Sequence, residues 1–225
     1  MEMLIDGVSR FKGNIFPAKS ERFQNLARHG QSPKTLMISC ADSRVVPELI
    51  TQSEPGELFV CRNAGNIVPP WQQRNGGVSS AIEYAVVALG VTDVVVCGHS
   101  DCGAMKAFSN PEALSQMPSV AAWLSHAEAA NVTVDACCGG MSDDERLRTL
   151  IEENVSIQLT HLKSHPSVAS ALAQGKLRLH GWVFDIETGS ISALDGETGR
   201  FTTDWKDRTP VADHGRQVEL TGEAA

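Results

Sequence analysis

The sequence predicts an α/β fold: a mainly parallel central sheet flanked by helices, with an antiparallel C-terminal edge strand and an N-terminal helical arm. Three observations carry this. The runs TLMISC (35–40), ELFVCR (57–62) and DVVVCG (93–98) are apolar almost throughout, as strands buried on both faces are. Helical patterns separate or follow them, and strands alternating with helices imply parallel pairing through right-handed crossovers. Two late runs, KLRLHGWVFDI (176–186) and SISALD (190–195), joined by Glu187-Thr188-Gly189, read as a hairpin added at an edge.

The elements follow in chain order. Leu4, Ile5, Val8 and Phe11 share one face at helical spacing, and Gly13 and Pro17 punctuate the segment before a second helical run carrying Phe23 and Leu26. Residues 1–28 therefore form a helical arm ahead of the first strand. Ile82, Val86 and Leu89 mark a helix between the second and third strands. Past His99 the pattern is helical over 119–130, around Trp123 and Leu124, and again over 143–163. There Ser142 and Glu145 make a capping box before Leu147, Leu150, Ile151, Val155, Leu159 and Leu162. From 202 to 225 the chain is polar and weakly patterned. No repeat or long linker divides it, so 1–225 reads as a single domain.

Composition narrows the function. With 225 residues and 42% apolar content the chain can bury a substantial core without disulfides. A net charge of −8 without a Lys/Arg cluster argues against nucleic acid or anionic membrane as partner, and for a small molecule. No run approaches the ~18 apolar residues of a membrane span, and the acidic start MEMLIDGVSRFKG is unlike a signal peptide, so a cytoplasmic location is expected. Cysteines 40, 61, 97, 102, 137 and 138 then read as thiols or metal ligands.

Ligands of open α/β sheets gather at the carboxyl ends of strands, and three such loops here carry unusual polar residues. They are CADSR from Cys40, RNAGN from Arg62 and HSDCG from His99. Two thiols and one imidazole at neighbouring strand tips suit tetrahedral zinc with a fourth position open, the arrangement of catalytic sites. The plainer alternative is that Cys40 and Cys102 are small buried residues. Asp42 and Arg44 pair with each other, either as a functional dyad or as a surface ion pair. Cys61 and Cys97 read as core residues and the adjacent Cys137 and Cys138 as a loop feature. His29, His126, His161, His165, His180 and His214 show no convergent partners.

CADSR, RNAGN and HSDCG, in this order with a GG-initiated helix between the last two, resemble the β-class carbonic anhydrases. The resemblance extends through PELITQSEPGELFVCRNAGNIVPP, GGVSSAIEYAV and HGWVFDIETG, covering residues 30–195, the catalytic core, and is nearest to bacterial cyanate-operon and plant enzymes. It implies one zinc ion per chain on Cys40, His99 and Cys102, and Asp42 and Arg44 as the catalytic dyad. It also implies a mainly parallel sheet with an added antiparallel strand, and a homodimer as the minimum unit, with arms crossing between subunits and tetramers or larger assemblies open. Phe59, Ala64 and Tyr84 would wall the substrate pocket, and Gln31 would donate to substrate in the neighbouring subunit. Periodicity alone favours plain core packing for Phe59 and Tyr84. Gly103 would offer a backbone N–H to the bound anion or simply open a helix. Met37 stands where one branch has the tryptophan of a regulatory bicarbonate site, and Ala88 where plant members have a histidine proposed to move protons, so no proton shuttle is identified.

The implied reaction is reversible hydration of carbon dioxide to bicarbonate and a proton by zinc-bound hydroxide, with Asp42, held ionised by Arg44, orienting the nucleophile. In carbonic anhydrases with three histidine ligands the zinc water titrates at about 7. Two thiolates offset the metal's charge and make that water more basic. Hydrolysis of carbonyl sulfide or carbon disulfide on the same ligands is the alternative, decided by pocket shape.

Overall fold

A computed structural model of the chain describes residues 1–72, 76–137, 139–204 and Val211. Cys138, His214 and most of the predicted polar tail lie outside the described residues. Six strands form one sheet in the order β2-β1-β3-β4-β5-β6. The first four, β1 (Thr35–Cys40), β2 (Leu58–Asn63), β3 (Asp93–His99) and β4 (Arg178–Phe184), run parallel, while β5 (Ile191–Leu194) and β6 (Phe201–Thr202) are antiparallel. β1 and β3 are buried almost throughout. The register Thr35↔Asp93 brings their carboxyl ends level, which places Cys40 beside the end of β3.

Two strand expectations change. ELFVCR was expected to be buried on both faces, yet β2 is mostly half-buried, because it is the last strand of the sheet in this chain. The late hairpin is not an edge addition at its first strand: β4 is the fourth parallel strand, interior to the sheet, and the antiparallel edge is made by β5 and the two-residue β6. Neighbour choice across the long helical crossover from β3 to β4 leaves no mark on local pattern. Both β-turns on this side repeat one device. Asp185 accepts from the amides of Glu187 and Thr188 ahead of Gly189 at φ 74°, and Asp195 accepts from Thr198 ahead of Gly199 at φ 68°.

Helices lie in chain order as α1 (Glu2–Arg10), α2 (Phe16–His29), α3 (Pro47–Thr51), α4 (Gly77–Glu83), α5 (Gly103–Lys106), α6 (Pro111–Ser115), α7 (Pro118–Leu124), α8 (Glu128–Cys137), α9 (Asp143–Lys163) and α10 (Pro166–Ala173). The main core joins Leu36, Ile38, Val94, Val96 and Leu179 on one sheet face to α4, α8, α9 and α10. A smaller cluster on the other face holds Met37, Val95 and Cys97 with Leu58, Trp182 and Phe184, the alternation that a period of two requires. The capping box of Ser142 and Glu145 forms as read. α9 crosses β3 and β4 closely because glycine stands beneath it. A Cβ at Gly98 would lie 2.9 Å from Val155, and one at Gly181 would lie 3.0 Å from Val155 and from Leu159. Cys137 ends α8 rather than lying in a loop. Among the described residues no helix is long and apolar enough to cross a membrane.

The arm is more continuous than its glycine and proline suggested. α1 and α2 join through a widened turn, Phe11–Ile15, in right-handed helical geometry, with Phe16 N–H donating to the Phe11 carbonyl. The i→i−5 turn ends just before Pro17, which lacks an N–H and cannot itself donate to the preceding turn. α2 is fixed to the body by Lys19 on Glu54, by Arg22 on the Pro55 carbonyl at 2.7 Å, and by Leu26 against Gly56. α1 buries nothing within the chain: Leu4, Ile5 and Val8 are 62%, 57% and 67% exposed.

Candidate metal centre and active site

β1 ends in Cys40, β3 ends in His99, and Cys102 precedes α5. Their ligating atoms lie within 4.8 Å of one another, and all three residues are buried. His99 Nδ1 is 2.8 Å from the Ser100 carbonyl, which can only accept, so Nδ1 carries the proton and Nε2 presents its lone pair. That Nε2 is buried without a hydrogen-bond partner. A fully buried acceptor left bare is costly, and two sulfurs beside it complete a soft-to-borderline donor set. The residues fit zinc.

The two thiols share a proton unequally. The neighbouring Cys102 thiol pulls Cys40 down against its burial, with further help from the amides of Gly65 and Asp42. The same proximity, together with burial, drives Cys102 upward. Metal binding needs both sulfurs as thiolates, so it must release a proton from this pair.

Asp42 and Arg44 pair as expected. Arg44 Nε donates to Oδ1 at 3.0 Å and Nη2 to Oδ2 at 2.8 Å, while the Arg44 amide adds a bond to Oδ1 at 3.0 Å. These bonds hold the carboxyl well below the usual carboxylate range. Oδ2 lies 3.9 Å from His99 Nε2, facing the donor cluster. Arg44 is anchored by Asp101, through Oδ2 at 2.8 Å and the carbonyl at 3.3 Å, and Asp101 also pairs with Lys106.

The pocket residues are partly assembled within one chain. The Phe59 and Tyr84 rings lie 5.8 Å apart, and Tyr84 is half exposed. Ala64 opens the turn after β2, and Gly103 opens α5 directly after Cys102. Gln31 is exposed just beyond the arm. A separate cavity of about 740 Å³ lies beyond Arg44 and Asp101, between α9 and the 185–192 hairpin, and neither the three donors nor Phe59 and Tyr84 line it.

Sequence reasoning assigned no role to several residues that hold the site loops. Arg62 donates to the carbonyls of Cys40 and Asp42 at 3.1 and 2.7 Å. Trp123 Nε1 holds the Ala64 carbonyl at 2.9 Å. Asn154 and Gln158, fully buried on α9, bond to the Gly65 carbonyl and the Val68 amide. Two amides four residues apart inside the apolar stripe of a predicted helix were the available signal for the last pair. Three of the other histidines are structural: His161 and His165 meet the carbonyls of Val68 and Pro69, and His180 meets Asp93. Cys97 is fully buried and pushed up to about 12 by that burial, and Cys61 is raised likewise, as core thiols are.

A parallel sheet whose carboxyl ends gather two thiols, an imidazole and an ionised Asp–Arg pair defines an α/β enzyme with a metal-type centre. The chain belongs to the β-class carbonic anhydrases. The family model for carbonic anhydrase matches residues 35–191. A carbonic anhydrase of Pseudomonas aeruginosa is 56% identical over 203 residues, 90% of this chain and 91% of that one. The solved β-carbonic anhydrase CcaA is 42% identical with a TM-score of 0.89, covering 93% of this chain and 94% of that one. Two tetrameric β-carbonic anhydrases of Sordaria macrospora are represented by a structure at 30% identity and TM-score 0.76, covering 89% and 98%.

Proposed function

We propose that the protein interconverts carbon dioxide and bicarbonate on one zinc ion held by Cys40, His99 and Cys102, with Asp42 and Arg44 as the catalytic dyad. The observation that carries this is the buried, unpartnered His99 Nε2 among two sulfurs, with Asp42 Oδ2 3.9 Å away. Zinc, when held by these residues, would supply the Lewis acidity that activates water as a nucleophile. The chain's residues do the rest. Asp42, ionised by its bonds from Arg44, offers Oδ2 as an acceptor to a group that carries a proton, so it orients such a group and repels anions that carry none. Phe59, Tyr84 and Ala64 give apolar carbon dioxide a wall, and the Gly103 amide faces the product anion. The product proton leaves to buffer.

The reading includes a second copy of the chain. Phe59 and Tyr84 sit where β2 ends the sheet, and α1 carries an apolar face that its own chain leaves bare. Burying Leu4, Ile5 and Val8 on a partner contributes roughly 1.5–3 kcal/mol each before ordering costs. That docking would bring Gln31 to the neighbouring pocket and leave each chain a single domain with an exchanged arm. The tetrameric relatives of Sordaria macrospora support assembly above the monomer.

Elemental analysis of protein purified without added metal, paired with a carbon dioxide hydration assay, tests the centre. About one zinc per chain with hydration activity is expected. Full activity with zinc well below one equivalent defeats the assignment. Deleting residues 1–28 should lower activity and dimer stability together by sedimentation and assay, and a fully active monomer defeats the shared site.

A further inference from the structure

The loop after β2 is held from α9 by a chain of buried amides. Asn154 Nδ2 donates to the Gly65 carbonyl at 3.1 Å, and Asn154 Oδ1 accepts from Gln158 Nε2 at 2.9 Å. Gln158 Oε1 accepts from the Val68 amide at 2.8 Å, and its Nε2 also reaches the His126 carbonyl at 3.1 Å. Each bond fixes the direction of the next, so neither amide can flip without leaving buried groups bare. Both residues are at most 1% exposed. The peptide they grip is unusual: Gly65 has φ 78° and Asn66 φ 48°, two successive residues in the left-handed region. A Cβ at Gly65 would lie 3.2 Å from Ala104 and 3.3 Å from Met105. In this conformation the Gly65 amide donates to Cys40 Sγ at 3.4 Å.

We infer that Asn154, oriented by Gln158, is a positioning residue for the metal centre, aiming the Gly65 N–H at the Cys40 sulfur so that the thiolate gives less of its charge to the metal. The inference rests on the zinc reading above. Two thiolates weaken the electrophilicity that hydration needs. An N–H aimed at one of them draws electron density back, and partners of this kind behind a ligand tune metal affinity and reactivity. The device places no charge near substrate. It explains two polar side chains in an otherwise apolar stripe, where leucine at either position would leave a carbonyl or an amide unsatisfied.

The test uses cobalt(II)-substituted full-length protein. In Asn154→Leu, and to a smaller extent in Gln158→Met, the sulfur-to-cobalt charge-transfer band should move to longer wavelength, because the sulfur lone pair rises in energy without its N–H. Zinc release to a chelator should change by about 10-fold. Leu162→Ala, a buried position on the same helix outside the amide chain, lowers stability without touching Gly65 and should leave the band in place. If Asn154→Leu does not fold, Gln158→Met carries the measurement. A band unmoved in the amide variants, or moved equally in Leu162→Ala, overturns the inference. A parent protein that takes up neither zinc nor cobalt defeats the zinc reading, and this inference with it, before any variant is read.

Discussion

The sheet carries an aspartate–arginine pair and a histidine at each end, and the two ends differ in what they leave unsatisfied. At the carboxyl end Asp42 takes its partner from two residues along its own loop. At the amino end Asp93, first residue of β3, takes Arg178, first residue of β4, with Nε on Oδ1 and Nη2 on Oδ2, both at 2.8 Å. His180 adds a bond to Oδ1 at 2.9 Å and Thr92 one to Oδ2 at 2.8 Å. Both carboxyls are held below the ordinary range. The difference lies in what remains available. Asp93 has two donors on each oxygen and its histidine is turned onto it, which makes a closed brace between two strands. Asp42 Oδ2 faces an imidazole nitrogen that has no partner, beside two buried sulfurs. Residue types alone do not separate a site from a brace, but unsatisfied valence does.

The sharpest way to break this comparison is to remove the donors themselves. Cys40→Ser or Cys102→Ser should leave zinc well below one equivalent by elemental analysis and abolish hydration, because a hydroxyl is a poor substitute for thiolate toward zinc. Next in size, Asp42→Asn should keep its zinc yet lose turnover by about 100-fold or more, since an amide donates as well as accepts and no longer holds one orientation. Arg44→Ala should do similar harm by freeing Asp42 to turn toward the metal. Near-parental rates in both dyad variants would make Asp42–Arg44 a brace like Asp93–Arg178.

The two ends were not equally legible in the sequence. The carboxyl end was, because its groups are local: Cys40, Asp42 and Arg44 fall within five residues at the end of an apolar run, and His99 and Cys102 within four at the end of another. The amino-end brace joins positions 85 and 87 residues apart through the β3–β4 register, which no local pattern encodes. The same limit hid β4's interior place and the grip of Arg62 and Trp123 on the site loops. The helical arm was legible as amphipathic. Its continuity was not, since a proline reads as a break unless a widened turn accommodates it.

The smallest expected effect sharpens the comparison from the structural side. Asp93→Asn should leave zinc content and turnover unchanged while lowering stability by about 1–2 kcal/mol at neutral pH, the scale of charged hydrogen bonds discounted for an arginine that is partly exposed. Its pH dependence identifies the cause. Burial alone would raise the Asp93 carboxyl, but the bonds from Arg178, His180 and Thr92 outweigh it, so its folded value is depressed. A depressed carboxyl contributes stability that is fully present above its unfolded value of about 3.9 and is lost as pH falls through the folded value. The gap between parent and Asp93→Asn in urea midpoints should therefore close as pH falls below about 4. Zinc loss on acidification is common to both proteins and drops out of the difference. A gap that persists undiminished at pH 3 would mean that the shape of the side chain, not its charge, holds β3 to β4, and the two ends of the sheet would then differ in kind rather than in what each leaves available.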